Sequence, residues 1–221
     1  MTPMEWKVPV GESQTTAIYE EATAGNPVFI CAHGAGGNIA DRATLATAGA
    51  LRAQGIGVVR FNFLYREKKS GRPDPMPKLM ETFTAVAGRV RSELNPGRLI
   101  IGGRSMGGRA ASMLAAEGYN ADGLLLLAYP LHPPGKPEQL RDAHLPRIGM
   151  PVLCFNGTRD PFCTRVLMER AIESVTAPWE MHWVEQADHS FHVPRSSGRT
   201  DAEVLAGIAD ASRDWIARMS A

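Results

Sequence analysis

The sequence predicts an α/β protein: a mostly parallel sheet with helices on both faces. Two observations predict it. Short β-like runs alternate along the chain with longer segments of helical period, and several of those runs are apolar throughout, as strands covered on both faces must be. A third observation sets the scale. The chain has 221 residues and no Ser/Pro-rich or charged linker, so residues 1–221 read as one domain whose core needs no staples.

The elements follow in order. Glu5–Val10 and Thr15–Ala22 read as an antiparallel pair at an edge, and the core runs follow: Pro27–Ala32, Gly57–Phe63, Arg98–Gly102, Gly123–Ala128, Pro151–Asn156 and Trp179–Val184. Between them the helical period marks Asp41–Gln54, Met76–Leu94, Ser105–Glu117, Thr164–Val175 and Asp201–Met219. Asn95-Pro96-Gly97 supplies a stop for the second helix. No repeat at solenoid or propeller period is present.

Composition narrows the class of partner. With 44% apolar and 21% charged residues the chain is neither disordered nor fibrous, and a net charge of +1 without a basic, aromatic-interleaved stripe gives no reason to expect nucleic acid. Cys31, Cys154 and Cys163 are an odd set without C-x-x-C spacing, which speaks against a disulfide framework or structural zinc, and Cys31 and Cys154 sit in apolar runs as core residues. His132, His144 and His182 lack metal-ligand spacing. The first residues lack the apolar stretch of a signal peptide, and no segment reaches the roughly 18 apolar residues of a membrane span, so a cytoplasmic protein is expected.

Residues 103–107, Gly-Arg-Ser-Met-Gly, join an apolar run to a small-residue helix. This is a G-x-S-x-G elbow: its glycines let the chain turn sharply from strand to helix and hold Ser105 strained, its hydroxyl above the sheet edge. A hydroxyl is a poor nucleophile at neutral pH. It needs a base, a carboxylate to orient that base, and amide donors for a developing oxyanion. Asp160 in Gly157-Thr-Arg-Asp-Pro follows the fifth core run, His189 in Ala187-Asp-His-Ser-Phe follows the sixth, and the loop His33-Gly-Ala-Gly-Gly37 follows the first. Each sits at the carboxyl end of a predicted strand, where ligands of open α/β sheets bind.

These motifs, in the order Ser105, Asp160, His189, resemble those of the α/β-hydrolases over nearly the whole chain, with a minimal lid. Within that superfamily the chain is similar to the small dienelactone-hydrolase-like group that includes the testis-expressed and NSL-complex-subunit hydrolase-like proteins. Arg60-Phe-Asn-Phe-Leu-Tyr-Arg and Tyr129-Pro-Leu-His-Pro-Pro-Gly-Lys-Pro resemble that group's less general motifs. The resemblance implies that Ser105 attacks an acyl carbonyl, that His189 is general base and then acid, and that Asp160 orients His189. It further implies an oxyanion hole from the backbone amides of Met106 and Ala35. Dienelactone hydrolases themselves use cysteine where this chain has Ser105, and some members of the closer group are complex subunits rather than enzymes.

Blander readings exist for several of these residues. Asp160 could cap a helix beginning near Pro161, a role compatible with facing a histidine. His189 is preferred over His192 because it follows the strand most directly, whereas His192 precedes Val193-Pro194; Asp188 is the histidine's own neighbour and a rival partner. His33 reads as structural, holding the glycine loop through a hydrogen bond. Leu64, Tyr65, Phe162 and Phe191 flank the loops and are expected to form an apolar substrate rim, although core packing explains each nearly as well. The cations of Arg66-Glu-Lys-Lys-Ser-Gly-Arg-Pro-Asp-Pro and Arg104 either face solvent or attract an anionic substrate.

Only about 20 residues separate Tyr129 from Met150, where a lid usually enters this fold, so one short helix near Glu138–Ala143 is the most that fits. The expectation is a shallow site, a small-molecule acyl ester or thioester as substrate, and neither metal nor organic cofactor. The alternatives are a silent scaffold that keeps the fold as a binding surface, and an acyltransferase.

Overall fold

In the computed structural model, which describes residues 2–22 and 27–219, eight strands form one sheet in the order β1-β2-β4-β3-β5-β6-β7-β8. The strands are β1 Met4–Val10, β2 Ser13–Glu20, β3 Val28–Ala32, β4 Gly57–Phe61, β5 Leu99–Arg104, β6 Gly123–Leu127, β7 Val152–Gly157 and β8 Trp179–Val184. β2 runs antiparallel to both β1 and β4, and the remaining pairs are parallel. The helices are α1 Arg42–Ala53, α2 Leu64–Glu67, α3 Met76–Leu94, α4 Met106–Ala116, α5 Arg165–Ile172 and α6 Asp201–Arg218. Among the described residues no helix is long and apolar enough to cross a membrane.

Side-chain alternation explains why the central strands are apolar throughout. Val28, Ile30, Ala32, Leu99, Ile101, Leu124, Leu126, Val152 and Cys154 face one core, which α3, α4 and α5 cover. Phe29, Cys31, Ile100, Leu125, Leu127, Leu153 and Phe155 face the opposite core, covered by α1 and α6. The positions of these central strands are therefore buried by a helix on one side or the other, and burial pushes the Cys31 thiol up to about 12.

Helix ends follow local chemistry. Asp41 caps α1 by accepting from the Thr44 amide at 2.8 Å, and Thr200 and Glu203 form a reciprocal capping box at α6. Asn95, in the left-handed conformation at φ 40°, ends α3 where the sequence places its stop. The helix expected over Thr164–Val175 is present as α5, whereas the short helix for which the lid segment has room is replaced by other structure. Residues 138–143 form no helix: Lys136 O accepts the Gln139 amide, Leu131 O accepts the Arg141 amide and Tyr129 Oη donates to Arg141 O, so the segment is pinned across the end of β6. Only a 3₁₀ turn, Leu145–Arg147, follows. No helix begins at Pro161 either; α5 starts at Arg165, with Thr164 as its N-cap.

Candidate active site

The parallel strands bring four loops to one sheet edge. Ser105 connects β5 directly to α4, the 33–37 loop follows β3, Asp160 follows β7 and His189 follows β8. The Ser105 backbone sits at φ 48°, ψ −117°, a region costing an L-residue about 1–3 kcal/mol. Two glycines make the turn possible. A Cβ on Gly103 would lie 2.2 Å from the Ala32 carbonyl oxygen, and one on Gly107 would lie 2.5 Å from the same atom. The elbow thus presses against β3 at contacts no other residue permits.

The strained turn also changes what the serine can do. A serine preceding a helix ordinarily turns its oxygen onto the helix's first amides, but Ser105 makes no such cap. Its Oγ lies instead 2.9 Å from His189 Nε2, and His189 Nδ1 lies 2.8 Å from Asp160 Oδ2. The carboxylate also accepts from the Phe162 amide at Oδ1, 2.8 Å, and from Asn156 Nδ2 at Oδ2, 3.2 Å. An acceptor of this kind takes the hydrogen of His189 Nδ1, which leaves the Nε2 lone pair facing the Ser105 hydroxyl. Asp160 is buried, and its contact with Phe162 is a local turn rather than a helix cap.

The rival histidine lies elsewhere. His192 is exposed and pairs with Asp201 at 2.9 Å, which raises the imidazole's pKa and lowers that of the carboxylate. Asp188 is not the partner of His189: its Oδ1 accepts from the amides of Ser190 and His192.

The glycine loop is held by a chain of contacts. The Phe63 amide donates to His33 Nε2 at 3.2 Å, so the proton sits on Nδ1, which donates to Gly34 O at 2.7 Å. Burial lowers the pKa of His33 and favours this neutral form. Gly34 O also accepts from the Gly37 amide at 3.0 Å. In a trans peptide the N–H points opposite to the C=O, so fixing Gly34 O fixes the direction of the Ala35 N–H. Gly34 itself packs against the elbow, where a Cβ would meet Ser105 Cβ at 3.5 Å. Met106 is the first residue of α4, whose first amides have no partner within the helix. Among the described residues neither the Ala35 nor the Met106 amide has an acceptor.

A cleft of about 470 Å³ opens above Ser105 and His189, lined also by the 34–37 loop, Asp41, Arg104 and Phe162. Of the four residues expected at its rim only Phe162 is there, its ring centroid 4.3 Å from that of His189. The other three, Leu64, Tyr65 and Phe191, lie away from it. Leu64 is buried in the single turn of α2. Tyr65 is buried because its hydroxyl finds a partner in the glycine loop, donating to Ala35 O at 2.7 Å. Phe191 belongs to the α1–α6 core.

Several supporting residues have no role assigned to them from the sequence. Arg60 and Asn62 grip one residue of the loop, Arg60 Nη1 donating to Ile39 O and Asn62 Oδ1 accepting from the Ile39 amide at 2.8 Å. This accounts for the Arg-Phe-Asn-Phe run, whose alternate residues point the same way. Asn156 is wholly buried at the end of β7, and its signal was a lone amide closing an apolar run. His132 accepts from the Thr164 amide at 3.1 Å and so caps α5 from a distance, tying the 130s segment to the loop that carries Asp160.

Comparison with known proteins agrees with this architecture. Dienelactone hydrolase from Anabaena variabilis superposes with a TM-score of 0.75 at 19% identity, covering 99% of each chain. An α/β serine hydrolase without a lid from Xanthomonas campestris gives 0.76 at 20% identity over 97% of this chain and 95% of that one. A serine hydrolase homologue from Coxiella burnetii gives 0.75 at 21% over 93% and 97%. The model of the alpha/beta hydrolase domain family matches residues 25–217, and the chain belongs to that family.

Proposed function

We infer that this protein is a serine hydrolase working through an acyl-enzyme, with Ser105 as nucleophile, His189 as base and acid, and Asp160 as the orienting carboxylate. The observation that carries the reading is the unbroken relay from Ser105 Oγ through both imidazole nitrogens to Asp160 at the floor of a cleft. As Oγ bonds to the acyl carbon its proton passes to His189 Nε2, and the amides of Ala35 and Met106 receive the oxyanion. The leaving group departs with that proton. Water then attacks the acyl-enzyme, giving one proton to His189, which returns it to Ser105 as the acid leaves.

The short 129–150 segment, which forms no helical lid, supports small acyl esters or thioesters rather than long lipids as the substrate class. The test combines labelling and turnover. A fluorophosphonate should modify Ser105 in folded protein, and Ser105→Ala should lower kcat by on the order of 10⁴-fold. Unchanged ester turnover in that variant refutes the assignment of Ser105. Faster turnover of long-chain than short-chain p-nitrophenyl esters refutes the substrate class.

A further inference from the structure

Arg104 ends β5, immediately before the proposed nucleophile. Its guanidinium lies 5.7 Å over the Phe191 ring and donates one long hydrogen bond, 3.3 Å from Nη2 to His189 O. Among the described residues no carboxylate pairs with it. Three carboxylates bear on it electrostatically, Asp41, Asp188 and Asp160. Asp41 is held by the Asn38 and Thr44 amides and the Thr44 hydroxyl. Asp188 is held by the Ser190 and His192 amides, and Asp160 by His189. Burial lowers the Arg104 pKa, the mark of a cation short of solvation, and a guanidinium has five donors to satisfy.

Arg104 and Ala43 line both the Ser105 cleft and a second hollow of about 480 Å³ beside it. That hollow lies between α1 and α6, floored by Ala46, Ala50 and Leu205. Arg42 adds a second cation, and the one carboxylate there, Asp201, is engaged by His192. No cation of the 66–78 loop lines either hollow.

We propose that the α1–α6 hollow is a substrate subsite in which Arg104 binds an anionic oxygen group, a carboxylate or phosphate, at the far end of a short aliphatic arm. The inference rests on the hydrolase reading and deepens it. The fork of a guanidinium matches two oxygens of such a group, and the alanine-rich floor suits methylene units. The chemistry at Ser105 is unaltered: water enters, acid and alcohol leave.

The test compares the mono-p-nitrophenyl ester of glutarate with p-nitrophenyl pentanoate, two acyl chains of equal length of which one ends in carboxylate. The expected kcat/KM ratio favours the glutarate ester by about tenfold or more, and Arg104→Met brings that ratio to about one. Arg104→Lys, which keeps the charge and loses the fork, should fall between. A purely positioning role through His189 would slow both esters alike and leave the ratio where it was. A ratio at or below one in the unaltered protein, or one unmoved in R104M, overturns the proposal. If neither ester turns over, fluorophosphonate labelling of Ser105 decides the hydrolase reading, and calorimetric titration with glutarate and with inorganic phosphate decides the subsite separately. Binding of either anion that vanishes in R104M supports it, the tighter of the two naming the group; no binding of either overturns it.

Discussion

Asn156 Nδ2 donates at 3.2 Å to Oδ2 of Asp160, the same oxygen that faces His189 Nδ1. The amide also donates to Tyr129 O at 3.0 Å and accepts from the Tyr129 amide at 3.2 Å, so it locks the end of β6 to the carboxylate. Replacing Asn156 with Ala strands the buried Tyr129 amide, leaves Tyr129 O with the Leu131 amide as its remaining donor, and frees Asp160 to rotate. Stability should fall by about 1–3 kcal/mol, read from urea denaturation, and kcat should fall with it. A variant of full stability and full turnover would remove Asn156 from the positioning of Asp160.

The strain at Ser105 has a measurable consequence. Both Ser105→Ala and Ser105→Gly delete the hydroxyl, but only glycine relaxes at φ 48°. The glycine variant should be the more stable of the two by about 1 kcal/mol, after the cost of its freer unfolded chain, with both variants inactive. A glycine variant less stable than the alanine variant by the full cost of its freer chain would mean the elbow carries no strain.

His33 holds the glycine loop at both ends of its ring. His33→Ala should lower kcat by about 10²-fold with a smaller change in KM, because the Ala35 amide loses its fixed direction while the cleft remains. Fluorophosphonate labelling should slow in parallel. Loss confined to KM would point to substrate binding instead.

Acid stability should depend on His144. This imidazole is buried 2.8 Å from Ser112 Oγ, and burial with the nearby Arg109 lowers its pKa to about 4. Between that value and the ordinary 6.5 the unfolded chain binds a proton that the folded protein refuses. Stability therefore falls as pH drops from 6.5 towards 4, by at most about 3 kcal/mol, and His33 adds a change of the same sign. His144→Gln, which keeps a donor for Ser112, should flatten this part of a urea-denaturation pH profile. A slope as steep as that of the unaltered protein would exclude His144 as its source.

Legibility in the sequence tracked the range of the forces involved. α3 was readable to the residue because its period and its Asn95 stop are local, and β8 for similar reasons. The helix expected near 138–143 failed because contacts from Leu131 and Tyr129, distant in neither space nor chain but invisible to periodicity, took its backbone groups. Leu64, Tyr65 and Phe191 were expected at the rim because they neighbour the right loops. Phe191 lies in a loop, and Leu64 and Tyr65 lie in a single helical turn too short to show a period, so neighbouring sequence does not tell which way they face.

By itself, the sequence determined the alternation of buried strands and helices, the elbow at 103–107, and the strand ends that present Asp160 and His189. These depend on side-chain period, on the φ freedom of glycine and on the order of the chain. Only the tertiary structure decided that Ser105, His189 and Asp160 lie at 2.9 and 2.8 Å, that Asn156 and His33 brace them, and that Arg104, with no carboxylate partner among the described residues, stands between two hollows. The Ser105–His189 contact joins residues 84 positions apart, and such relations exist only once the sheet has brought its strand ends together.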